Sequence, residues 1–190
     1  MIHHGDALQN PVTGETLIFH LTSEETGGEA VLVETIVAPD GFVAAAHLHP
    51  GQTERFEVLE GDLGLRIGSD ELVARPGDVI TVPAGVGHRF HNHGQQEVRF
   101  LCEIRPALGF ESLIETMFTL AAEGKTNRKG MPNPFRLAVI ARAHFDTVRL
   151  PVVPAAMQRA ALTIGALIGR LAGYKPHYAA VPPQARLAAA

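Results

Sequence analysis

The chain has 190 residues and a formal net charge of −4, with 16 Lys and Arg against 20 Asp and Glu. It has no basic run, which argues against a nucleic-acid partner. Its single cysteine, Cys102, excludes an intrachain disulfide or a thiolate cluster.

The N-terminus, MIHHGDALQNP, lacks the basic start and apolar core of a signal peptide. The longest apolar run, Ala160–Gly169, is too short to span a bilayer and is bracketed by Arg159 and Arg170. The expectation is a soluble, reduced, cytoplasmic protein, long enough for one core and an appendage.

Up to Pro106 the chain reads as strands and turns. Thr16–Leu21 and Ala30–Val37 are β-branched and apolar, set apart by the break at Thr26-Gly27-Gly28. Short strands follow at Phe56–Leu59, Gly64–Ile67, Leu72-Val73, Val79–Val82, His88–Asn92 and Val98–Ile104, punctuated by Gly, Pro and Asp. Such spacing predicts an all-β sandwich or barrel over residues 1–106. After Pro106 the apolar period becomes helical. Phe110–Glu123 is a first helix, and Asn133-Pro134 opens a second with Leu137, Ile140, Ala141, His144 and Phe145 on one stripe. A third, Ala155–Gly173, ends at a glycine. It is apolar on nearly every side, which predicts burial against more than one neighbour, and the small residues Ala161, Gly165, Ala166 and Gly169 would permit close helix approach. Residues 107–190 are therefore expected to pack on the barrel or in a homodimer. The tail from Tyr174, rich in Pro and Ala, is expected to be extended or frayed.

Two stretches carry chemistry. In Gly41–Gly61, GFVAAAHLHPGQTERFEVLEG, His47 and His49 are two apart and share a face if the segment is a strand. Pro50-Gly51 breaks the phase, so that a second strand can bring Glu54 round to the histidines. Two imidazoles and a carboxylate converging on one point suit a metal ion. In Gly77–Asn92, GDVITVPAGVGHRFHN, a Pro/Gly loop presents His88 at a strand start as a fourth ligand, and His88, Phe90 and Asn92 share parity.

These stretches resemble the paired motifs of the cupin superfamily. The first motif, G-x5-H-x-H-x4-E-x6-G, is filled by Gly41, His47, His49, Glu54 and Gly61, and the second, G-x5-P-x-G-x2-H-x3-N, by Gly77, Pro83, Gly85, His88 and Asn92. The resemblance covers about the first half of the chain. It implies a mainly β architecture, a single antiparallel jelly-roll barrel (double-stranded β-helix), here followed by about three α-helices. It also implies one divalent ion, Fe, Mn, Ni, Zn or Cu, held by His47, His49, Glu54 and His88. Six-coordination would leave two positions for water, oxygen or a chelating substrate. Glu54 could also leave the ion and act as a base.

Other residues read as less informative. His91 and His93 have the opposite parity to His88 and are expected at the surface. His3 and His4 sit at an end expected to be mobile, His20 has no evident partner, and His144 belongs to a helix stripe. Arg66 and Arg99 are expected to face solvent. Phe56, Phe90 and Asn92 are the substrate-pocket candidates, with Phe100 as pocket or core. The functional expectation is a quercetinase-like, metal-dependent dioxygenase acting on a small organic substrate. The alternatives are a metal-assisted isomerase, epimerase or lyase, or a ligand-binding cupin without turnover.

Overall fold

The computed structural model describes residues 2–179; the part of the Pro/Ala-rich tail from 180 onward lies outside the described residues. In chain order these form β1 (Ala7–Asn10), β2 (Glu15–Leu21), β3 (Val31–Val37), β4 (Thr53–Glu60), β5 (Leu63–Ile67), β6 (Asp70–Ala74), β7 (Val79–Val82), β8 (His88–Asn92) and β9 (Val98–Arg105). Three helices follow: α1 (Phe110–Ala122), α2 (Pro134–Ala143) and α3 (Ala155–Leu171). The strands form two antiparallel sheets, ordered β1-β2-β3-β9-β4-β7 and β6-β5-β8. An irregular segment joins the edge of the smaller sheet, with Phe42 bridged to His91 and His47 to His88.

Strict alternation builds the interior. Leu17 and Phe19 of β2, Val33 of β3, Phe56 and Val58 of β4, and Phe100 and Ile104 of β9 all point inward and are buried. Two motif glycines mark points where backbones touch. A Cβ on Gly41 would lie 2.5 Å from Val37 Cγ1 and 2.8 Å from the Ala38 carbonyl oxygen. Gly61 has φ of 76° and would place a Cβ 2.7 Å from the Glu97 carbonyl oxygen.

Three expectations need correction. His47 and His49 do not lie on a regular strand; residues 41–50 carry only isolated bridges, because the chain bends at Ala44-Ala45 and Leu48 turns away to pair with Arg149. The N-terminus is anchored, since β1 pairs with β2 and Ile2 is buried. His20 does have a partner: it lies 3.0 Å from Glu34, which also pairs with Arg99 on the outer face.

The helices hold to their expected spans within about two residues. Asn133 caps α2 through its side-chain oxygen, which accepts from the Arg136 amide, and Pro134 takes the first helical position. α2 and α3 pack antiparallel through small residues: a Cβ on Gly165 would meet Ala138 at 2.8 Å, and one on Gly169 would meet the Phe135 carbonyl oxygen at 2.5 Å. The remainder of α3 is not enclosed by the single chain. Ile164, Leu167 and Leu171 stand exposed on the single chain. No helix among the described residues is long and apolar enough to cross a membrane.

Candidate metal centre and cavity

His47, His49, Glu54 and His88 come together inside the barrel, one ligand atom from each lying within 4.8 Å of all the others. Glu54 is the second residue of β4 and points inward with Phe56 and Val58. His88 opens β8, and its backbone exchanges two hydrogen bonds with His47, at 2.8 and 3.0 Å. His49 is held from the other side, its carbonyl accepting from the Gly85 amide at 2.8 Å. The two motifs are thus sewn together through backbone as well as side chains.

The hydrogen-bond pattern sets the tautomers. His47 Nδ1 lies 2.9 Å from the Ala45 carbonyl oxygen, His88 Nδ1 lies 3.1 Å from that of Val86, and His49 Nδ1 lies 2.7 Å from that of Thr147. A carbonyl can only accept, so each Nδ1 carries the proton, and in the neutral ring each Nε2 presents a lone pair to the centre. These lone pairs meet a carboxylate: His88 Nε2 is 2.5 Å from Glu54 Oε2, and His49 Nε2 is 3.4 Å from Glu54 Oε1. His49 Nε2 and Glu54 Oε2 are buried without a hydrogen-bond partner. Acceptors facing acceptors in a dry interior are costly unless a cation lies among them. The donor set therefore fits a divalent ion.

Electrostatics agree at His47, whereas at His49 burial is outweighed by the Glu54 carboxylate, which raises that imidazole above its ordinary value. Burial, reinforced by His88 and His49, lowers His47 to about 4, so it is neutral at physiological pH as ligation requires. Burial opposes ionisation of Glu54, but its contacts with His49 and His88 outweigh that and hold it well below the usual carboxylate range. Beside it, burial raises the Cys102 thiol well above its ordinary value; Sγ lies 3.8 Å from Glu54 Oε1. Cys102 is a neutral neighbour and no thiolate ligand.

Gln52, which sequence reasoning passed over, supports the centre from behind. Its Oε1 lies 3.1 Å from His49 Nδ1, and its Nε2 donates to the Pro106 and Ala107 carbonyls, both at 2.9 Å. It fixes one ligand ring to the segment that leads into the helices. We expect Gln52→Ala to weaken metal binding about tenfold and to destabilise the fold by about 1–3 kcal/mol through stranded carbonyls. Chelator competition and denaturant titration measure the two effects separately.

His47, His49 and Glu54 form part of the wall of a cavity of about 570 Å³, with His88 lying behind them. The helices supply its roof: Leu113, Ile114 and Met117 from α1, Leu137 and Ile140 from α2, Met157 and Leu162 from α3. The barrel contributes Leu17, Val33, Phe90 and Phe100. Phe90 thus lines the cavity as expected from its parity. Phe56 and Asn92 do not. Phe56 is core, its ring centroid 5.8 Å from that of Phe100. Asn92 is a structural clasp: its amide donates to the Val37 and Gln96 carbonyls and accepts from the Gly94 amide. His91 and His93 are exposed, and His144 is buried under α1, as expected.

A jelly-roll barrel with a three-histidine, one-carboxylate centre on its inner wall defines the class. Residues 33–103 match the family described as the cupin domain, and this stretch of the chain is a cupin domain. Among curated proteins the chain is similar to an oxalate-binding protein of Thermotoga maritima, 28% identical over 92 residues, 48% of this chain and 76% of that one. Among solved structures it is similar to a predicted oxalate decarboxylase of Thermotoga maritima (22% identity, TM-score 0.47, covering 48% of this chain and 80% of that one). It is also similar to a sugar phosphate isomerase of Silicibacter pomeroyi (26% identity, TM-score 0.45, covering 50% and 62%). The family match ends at residue 103, before the helices begin.

Proposed function

We propose that the protein is a metal-dependent enzyme acting on a small, largely apolar substrate that chelates the ion. As reaction class we propose oxygen-dependent oxidation of the kind catalysed by quercetinase-like dioxygenases. The observation that carries this reading is the position of the His47, His49, Glu54 and His88 cluster at a cavity of about 570 Å³ whose lining is mostly apolar. That volume lies in the range of small-molecule sites. When bound, a divalent ion supplies Lewis acidity, and a redox centre if it is iron, manganese, nickel or copper.

The chain's own residues supply the rest. Three Nε2 atoms with fixed tautomers and the Glu54 carboxylate pre-organise the centre. The side chains of α1, α2 and α3 that line the cavity offer an apolar surface to hold a substrate against His47, His49 and Glu54. Glu54, whose carboxylate is ionised, is the group able to accept a substrate proton next to the centre.

A small dianion or a sugar phosphate fits this lining less well. Among the described residues, Arg149 is the one cationic side chain lining the cavity, and it is engaged. Its Nε donates to the Phe145 carbonyl at 2.9 Å, one terminal nitrogen meets Asp146 at 3.2 Å, and the guanidinium lies over the Phe145 ring. Lewis-acid rearrangement, or binding without turnover, is the second reading, favoured by the names of the relatives above.

The test loads purified protein in turn with iron, nickel, manganese, copper or zinc. Oxygen uptake is then followed with an aromatic enol, with oxalate and with a sugar phosphate. Uptake with the enol and a redox-active ion supports the proposal. Turnover of oxalate or sugar phosphate with zinc, and no oxygen uptake with any metal, would replace it with the second reading.

A further inference from the structure

Away from the metal centre, the same cavity is lined by a second group of polar side chains, Asn10, Glu15 and Thr35. The register makes them neighbours on the inner face. Asn10 of β1 stands directly opposite Glu15 of β2, and Glu15 pairs with Val37, two residues from Thr35 on the same side of β3. All three are buried, at 3%, 6% and 3% exposure. The other inward positions nearby, Leu17, Val33 and Val37, are apolar.

Local structure accounts for only part of this polarity. Asn10 Oδ1 accepts from the Val12 and Thr13 amides and so closes the turn between β1 and β2. Its amide nitrogen has no partner among the described residues. One Glu15 oxygen accepts from the Thr13 hydroxyl at 2.6 Å, and the other has no protein partner. The Thr35 hydroxyl likewise makes no hydrogen bond among the described residues. An amide donor, a carboxyl oxygen and a hydroxyl are therefore left free in an otherwise apolar cavity, an arrangement the fold does not need.

The register also places this group away from the metal ligands. Glu54 pairs with Ile104, and Ile104 with Val31, whereas Glu15 pairs with Val37. The two sites are six residues apart along β3, about 20 Å of strand, with Leu17, Val33, Phe90 and Phe100 among the apolar lining.

We propose that Asn10, Glu15 and Thr35 form a distal subsite that hydrogen-bonds a hydroxyl or carbonyl group at the far end of an otherwise apolar ligand whose near end reaches the metal centre. The inference rests on the metal-centred reading above and narrows its substrate class to elongated molecules polar at both ends. Burial raises the Glu15 carboxyl to about 7, against the Thr13 hydrogen bond, and no charged side chain contributes to that shift. A subsite of this kind suits a neutral polar group better than an ammonium or a phosphate.

The experiment is calorimetric titration of the metal-loaded, full-length protein with matched probes. These are decanoate, dodecanoate and tetradecanoate, and the same acids carrying a terminal hydroxyl. In an apolar cavity without a partner, a terminal hydroxyl weakens binding. With the subsite, it tightens binding about tenfold at the matching chain length. Thr35→Val, close to isosteric, and Glu15→Met should bring the two probe series to equal affinity, while Glu15→Gln should keep part of the gain. Metal content and thermal unfolding check that each variant is folded.

A hydroxyl that weakens binding at every length, or a gain that survives both Thr35→Val and Glu15→Met, overturns the subsite. The parent reading is tested separately with His47→Ala/His88→Ala protein. Undiminished binding of the plain acids there removes the metal-centred reading, yet a hydroxyl gain lost in Glu15→Met still supports the subsite. If neither probe series binds the metal-loaded protein, both proposals fall.

Discussion

Replacing His47 and His88 together by alanine should abolish metal-dependent stabilisation while leaving the barrel folded. The two side chains supply half of the donor set, and a centre reduced to His49 and Glu54 cannot hold a divalent ion against competing water. The backbone hydrogen bonds between residues 47 and 88 do not depend on either side chain, so the bridge between the motifs survives. In the unaltered protein, an ion present at a hundred times its dissociation constant adds about 2.7 kcal/mol to the stability of the folded state. That increment should appear as a higher unfolding midpoint on adding metal and vanish with chelator. In the double variant metal and chelator should give the same midpoint, and elemental analysis should find less than about one-tenth of an equivalent bound. A double variant that keeps one full equivalent of metal would show that the ion lies elsewhere.

The His47, His49, Glu54 and His88 cluster was legible because it depends on short-range spacing. His47 and His49 reach one point through their separation of two, and the Pro50-Gly51 break lets β4 begin with Glu54 turned toward them. The strand between the histidines was inferred and is absent, yet the result stands, since one extended step places both imidazoles on the same side. Parity carried less for Phe56 and Asn92. It states that a residue points inward, and inward in a closed barrel means core or clasp as often as cavity. Asn92 is held by the nearby Gln96 carbonyl and by that of Val37, 55 residues away, and no local pattern brings Val37 there.

Glu15 shows the reverse case. The strand expected from Thr16 left Glu15 out, although its parity with Leu17 and Phe19 is a signal that could have found it. The roof of the cavity was not legible at all. It depends on contacts such as that between His49 and Thr147, 98 residues apart, and helix periodicity states only that an apolar face exists. In α3 the same periodicity left open what covers each apolar face. Small residues at Gly165 and Gly169 satisfy one close contact with α2, and much of the remaining apolar surface stays exposed on the single chain.

Truncation after Pro106 should therefore do more than remove an appendage. Phe110, Phe118, Leu120, Val139 and Ile140 are all buried in the intact chain. Side chains of this size each contribute about 1.5–3 kcal/mol when fully buried, so the five together are comparable to the entire stability of a typical domain, about 5–15 kcal/mol. The cut also takes away the Ala107 and Thr147 carbonyls that hold Gln52 and His49, and the bridge between Leu48 and Arg149. The truncated barrel should aggregate, and any soluble fraction should bind metal at least about tenfold more weakly although all four ligands remain. A point variant separates loss of the roof from loss of the fold. Gly169→Leu places a side chain where even a Cβ would stand 2.5 Å from the Phe135 carbonyl oxygen and 2.6 Å from Val139 Cγ2, forcing α3 away from α2. That variant should keep its metal, because no contact to His49 or Gln52 is altered, while opening the cavity to a dye that fluoresces on apolar surfaces. A barrel cut after Pro106 that stays soluble and binds metal with the affinity of the full chain would show that the helices neither support the centre nor complete the core.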